Sequence, residues 1–74
     1  MSKEELLIKK INFLHEKWGV TKSFISKKLG ISNVTLSYFT AKDESKRKHL
    51  SSDRIAKSNA ILNELYKLED KNFM

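Results

Sequence analysis

Between Gly30 and Ala41 the chain reads ISNVTLSYFT, a run whose side chains have the chemistry to read hydrogen-bonding groups on a base pair. Asn33 carries a donor and an acceptor on one amide, so it can engage adenine N6 and N7 together. Val34 and Thr35 offer methyl groups that suit a thymine methyl. Ser32, Ser37 and Tyr38 carry hydroxyls that both donate and accept, which fits a base edge or a phosphate. Leu36 and Phe39 are three apart, so on a helix they share a face and leave Ser32, Asn33, Val34, Ser37 and Tyr38 opposite them. The plainer account of Asn33 is a first-turn residue bonding its own backbone.

Cations and small donors flank this run. Lys22, with Thr21 and Ser23, stands at the start of the preceding helical stretch, where free backbone N–H groups favour a phosphate. Lys42, Lys46, Arg47 and Lys48 follow the run directly, placed to touch a nucleic-acid backbone beside a groove. The competing account is a solvated charge run, and Asp43 and Glu44 dilute it. Lys27 and Lys28 are expected to face solvent or the phosphate fringe. The whole chain of 74 residues carries 15 Lys and Arg against 9 Asp and Glu, a net charge of +6. A small basic body favours polyanions, although charge alone does not separate this from a merely soluble surface.

The elements that position these residues are expected to be helices. There is no Pro, and Gly19 and Gly30 are the two Gly; both fall where a helix should stop. The reading is an all-α, compact bundle of about four helices in a single domain, 1–74, with a long C-terminal helix. The first helix should span residues 3–18, opened by the S-x-x-E capping box of Ser2 and Glu5. Leu7, Ile11, Leu14 and Trp18 form its buried stripe, and Trp18 closes it against the last helix. Leu6, Ile8 and Phe13 lie around that stripe, to be wrapped by neighbours or offered to a partner. The second helix should span residues 22–29, capped by Thr21, with Ile25 and Leu29 inward and Phe24 assisting. The third follows Ser32 and spans about 33–40. Residues 41–50 read as a surface loop. The last helix should run from Ser51 or Ser52 to about residue 70, with Ile55, Ile61, Leu62, Leu65 and Leu68 on its apolar face. Tyr66 should pack on the core with its hydroxyl in water.

Residues 21–40 also meet the steric demands of a helix-turn-helix. A small residue must sit where the second helix crosses the first, a Gly at the turn, and an apolar plug after it. Ser26, Gly30 and Ile31 supply these, with Leu36 and Phe39 as anchors. Lys22, Ser26, Gly30 and Leu36 fall at spacings of four, four and six.

With these residues the segment resembles the helix-turn-helix of the lambda-repressor/Cro superfamily, or XRE-type regulators, including the K-K-L-G-I-S motif of residues 27–32. A helix before and a helix after extend the resemblance over most of the chain. It departs at Ser26, where Ala is usual, and at Lys22, where Gln is common. Four helices stand where many relatives have five. The resemblance implies a small phage- or mobile-element-type regulator that binds double-stranded DNA, with the third helix in the major groove. It also implies a homodimer on paired half-sites. Ile61, Leu65, Leu68 and Phe73 are the expected contact between copies.

A second function class stays open: a module that keeps this shape but binds a larger regulatory protein or enzyme, through Leu6, Ile8 and Phe13. Catalysis is not expected, because no paired carboxylates converge and no Gly-rich phosphate loop exists. No metal or other cofactor is expected, since the chain has no Cys and His15 and His49 are isolated. No apolar run approaches the roughly 18 residues of a membrane span, and the N-terminus does not read as a signal peptide. The expected location is therefore the cytoplasm.

Overall fold

Each α-helix among the described residues begins at a hydroxyl. Ser2, Thr21, Ser32 and Ser51 sit in extended backbone, and their side chains accept the N–H of Glu5, Phe24, Thr35 and Arg54. That bond satisfies one of the backbone donors a helix start leaves without a partner. The computed structural model describes residues 2–41 and 43–73. It contains helices α1 (Lys3–Lys17), α2 (Lys22–Leu29), α3 (Asn33–Phe39) and α4 (Ser52–Tyr66). Short 3-10 turns at Glu44–Lys46 and Asp70–Asn72 complete it. The fold is an all-helical bundle, with no strand among the described residues.

The core is built from α1 and α4, with α2 and α3 packed on their flank. Leu7, Ile11 and Leu14 meet Ile25, Leu36, Phe39 and Leu62 there, all fully excluded from solvent. Leu6 and Ile8 are buried too, so neighbours wrap α1 on more than one side. Phe13 is half-buried, with its ring edge-on to Phe73 at 5.3 Å between centroids.

Four expectations need correction. Phe24 does not assist the core; it is 46% exposed. An eight-residue helix buries one narrow stripe, here Ile25, Ser26 and Leu29, and Phe24 falls outside it. Trp18 is 52% exposed. It does reach α4, through an edge-on contact with the Tyr66 ring at 5.6 Å, but it lies over that ring as an outer layer. The Tyr66 hydroxyl, expected in water, is buried without a hydrogen-bond partner among the described residues. Burial pushes its phenol pKa above the ordinary value.

The fourth correction concerns α4. It stops at Tyr66 because Lys67 adopts the left-handed conformation, at φ 55°. The N–H groups of Lys67 and Leu68 both return to the Asn63 carbonyl. The chain then folds back, and Asp70 meets α1 instead of extending α4. Its partner is Lys10, whose side chain is 0% exposed. The Lys10 ammonium donates to Asn59 Oδ1 at 3.1 Å, Asn63 Oδ1 at 2.6 Å and Asp70 Oδ1 at 2.6 Å. Three acceptors for three N–H groups is what a buried ammonium needs. The Asp70 carboxyl is held below its ordinary pKa, mainly by the hydrogen bond from Lys10 and then by that from Asn63. A polar lock therefore ties α1, α4 and the C-terminal turn together.

Candidate nucleic-acid interface

The turn between α2 and α3 is made by Gly30 at φ +71°. A side chain at that φ would strain the backbone, although the nearest atom to a built Cβ, an Arg54 guanidinium nitrogen, is at an ordinary 3.7 Å. The Ile31 N–H closes the turn on the Ser26 carbonyl at 3.1 Å, and the Ile31 side chain is half-buried against the core. Ser26 is buried, and its hydroxyl donates back to the Ser23 carbonyl at 2.8 Å. This hydroxyl therefore has an acceptor within its own helix and does not obstruct the packing of α2.

Leu36 and Phe39 are fully buried and fasten α3 from beneath. The opposite face is open: Ser32, Asn33, Val34, Ser37 and Tyr38 are all exposed, Val34 by 62%. Two of the six candidate readers are occupied by the cap. Ser32 Oγ accepts the Thr35 N–H and donates to Thr35 Oγ1 at 2.7 Å, and Thr35 is half-buried. Asn33, Ser37 and Tyr38 make no side-chain hydrogen bond to any described residue. Their polar groups face solvent without an internal partner.

The flanking cations divide. Lys48 Nζ lies 5.2 Å from the Tyr38 ring centroid and so borders the open face directly. Lys46 is exposed at the end of the 3-10 turn. Lys22 is half-buried, and one of its N–H groups donates to Thr40 Oγ1 at 3.0 Å, joining the start of α2 to the end of α3. Thr21 and Ser23 are exposed beside it, Thr21 serving as the α2 cap. Arg47 donates from Nε to the Ala41 carbonyl at 2.6 Å and lies against α1, in a cleft shared with Glu4, Glu5 and Ile8. Lys42 lies outside the described residues. Asp43 accepts from the Ser45 N–H and hydroxyl, which engages its carboxylate in the loop's own turn.

No family model, curated protein or solved structure matches this chain.

The four residues expected to join two copies do not form one face. Phe73 packs on Phe13, and Leu68 is half-buried on the core. Ile61 and Leu65 instead line a shallow groove with Lys28 and Glu64. Among the described residues no group of three or more His, Asp or Glu could hold a metal ion. His15 Nδ1 is 3.1 Å from the Val20 carbonyl, and His49 Nδ1 is 2.7 Å from Glu4 Oε1. No helix among them is long and apolar enough to cross a membrane.

Three structural residues escaped the sequence reading. Lys10 and Asn59 each sit within an apolar stripe, Lys10 one turn from both Leu6 and Leu14, Asn59 one turn from Ile55. A polar residue at such a position on each of two helices is a signal for a buried pair. Arg54 gave no such signal. Its guanidinium reaches the Leu29 carbonyl at 3.4 Å, at the end of α2 where a cation is favoured.

Proposed function

We propose that this protein is a small sequence-specific regulator that binds double-stranded DNA, with α3 lying in the major groove. The observation that carries the reading is the face of α3: Asn33, Val34, Ser37 and Tyr38 stand open and hold no internal hydrogen bond, while Leu36 and Phe39 fix the helix from behind. Donors and acceptors left in this state on a rigid element are available to a ligand. Lys48 borders the face beside Tyr38, and Lys22 and Lys46 lie on the segments that precede and follow α3, which supplies the kind of charge a phosphate backbone requires.

The face also favours a class of base pair. α3 carries no Arg or Lys, the side chains that most often engage guanine O6 and N7. It offers one amide suited to adenine, and the Val34 and Tyr38 side chains as apolar contacts for thymine methyls. The preferred half-site is therefore centred on A·T pairs.

The alternative, a protein-binding module, rested on apolar residues of α1. Leu6 and Ile8 are buried, which removes most of that surface.

Selection of bound fragments from a random DNA pool tests the proposal. An A·T-centred motif should emerge, and its affinity should fall steeply with salt, with a slope set by roughly four to eight phosphate contacts. Absence of saturable binding at low salt would overturn the DNA reading. A motif centred on G·C would keep it and discard the assignment of α3.

A further inference from the structure

The loop between α3 and α4 is bonded along its length. The Asp43 carboxylate accepts the Ser45 N–H and hydroxyl, and the Asp43 carbonyl accepts the Lys46 N–H. Arg47 Nε donates to the Ala41 carbonyl at 2.6 Å, and His49 Nδ1 lies 2.7 Å from Glu4 Oε1 on α1. Lys48 stands between these two anchors. Its ammonium reaches back to α3 and lies over the Tyr38 ring, 5.2 Å from the centroid. A cation so placed is attracted by the negative face of the ring.

The nearest cation on the same loop is held differently. Lys46 is exposed, and its side chain makes no hydrogen bond, ion pair or ring contact with any described residue. Tyr38 is 43% exposed, while its neighbours Leu36 and Phe39 are fully buried, so its ring rides on a fixed helix without being part of the core. A Lys side chain loses much rotamer freedom when it is ordered. A cation ordered in the free protein does not lose that freedom again on meeting DNA.

We infer that Tyr38 is a positioning residue, whose ring holds the Lys48 ammonium beside the α3 face so that loop and helix meet DNA as one preformed unit. Lys48 takes a phosphate while α3 enters the groove. The inference rests on the DNA reading above. It gives the face of the Tyr38 ring a task independent of base sequence, and leaves the ring edge free to meet a thymine methyl.

A double-mutant cycle on binding to an all-G·C duplex at low salt tests it, since that duplex has no thymine methyl and reports sequence-independent contacts. Tyr38→Leu should weaken binding about two- to fivefold, the size of an exposed cation–π contact. Tyr38→Phe, which keeps the ring, should stay within about 1.5-fold of wild type. On a Lys48→Ala background, Tyr38→Leu should change affinity by less than about 1.5-fold. On a Lys46→Ala background it should cost the same as in wild type. A loss caused by damage to the fold would persist on both backgrounds, and circular dichroism confirms that each variant is folded. In the free protein, the Lys48 ε-methylene protons should resonate upfield of those of Lys46, shifted by the ring current, and return in Tyr38→Leu. Equal losses from Tyr38→Leu with and without Lys48 overturn the inference and leave the DNA reading standing. So does a Tyr38→Phe variant as weak as Tyr38→Leu, or a Lys48 methylene without the upfield shift. Wild type that binds no duplex saturably overturns the DNA reading, and this inference with it.

Discussion

Asn59 and Asn63 on α4 and Asn33 on α3 are the same residue type in opposite circumstances. The first two point inward and are bonded: both oxygens accept from Lys10, the Asn59 amide donates to the Lys3 carbonyl at 3.3 Å, and the Asn63 amide donates to Asp70 at 3.0 Å. Asn33 points outward and bonds no described residue. The α1–α4 end consumes its polar groups in holding the bundle together, whereas the α3 end leaves them available. Hydrogen-bond saturation, more than residue type, separates a group spent on holding the fold from a group left open to a partner.

Breaking the lock should give the largest effect and touch stability alone. Asp70→Ala leaves the Lys10 ammonium buried without its counter-charge. Because Asp70 is itself partly solvated, the loss is expected at about 2–3 kcal/mol, near the low end for a broken buried pair. Urea unfolding at pH 7 measures it, and DNA affinity of the folded fraction should not change. Acid should reproduce the effect. A carboxyl whose folded pKa is depressed stabilises the fold above its unfolded value, near the ordinary 3.8, and loses that contribution as pH falls through the lower folded value. The gap between wild type and Asp70→Ala should therefore begin to narrow below about pH 4 and close only once pH has fallen past the lower folded value. A gap that does not narrow at all as pH falls below about 4 would assign the lock's strength to packing.

Asn33→Ala is the mirror experiment. It should cost roughly 1–3 kcal/mol on the preferred site and relax the preference at one base pair, while unfolding stability stays within about 0.5 kcal/mol. Equal losses on every DNA sequence would remove Asn33 as a reader, and a stability loss comparable to that of Asp70→Ala would erase the contrast between the two ends.

Tyr66 provides an internal control, a buried polar group at the saturated end that lacks a partner. Tyr66→Phe should be neutral or gain up to about 1 kcal/mol. The raised phenol pKa adds a sign: stability is intact below the unfolded value near 10 and declines as pH rises through the higher folded value. Thermal unfolding from pH 8 to 11 should show that decline in wild type and a shallower one in the variant.

The smallest effect lies in the loop that follows α3. Lys46→Ala should weaken binding to all DNA sequences alike and lower the salt slope by about one. An unchanged slope would make the loop a bystander.

The sequence disclosed the features that are decided within a few residues. Ser2, Thr21, Ser32 and Ser51 begin helices because the hydroxyl and the N–H it caps are three residues apart, and Gly30 marks a turn because positive φ selects it. The inward pair Leu36 and Phe39, and with it the open face of α3, followed from periodicity. Features decided at long range stayed hidden. Lys10 meets Asp70 sixty residues away, so no local pattern foretells that α4 stops at Lys67, a residue type without glycine's freedom. Phe24 was misplaced because eight residues contain too few turns to fix which face is buried. The division of Ile61 and Leu65 from Leu68 and Phe73 depends on the same chain reversal at Lys67.

That reversal also makes neighbours of Lys3 and Asp70, which line one groove. A short crosslink between these two positions would close the intervening backbone into a loop with little distortion. It would then restrict the unfolded chain far more than the folded one, raising thermal tolerance without altering a single contact of α3.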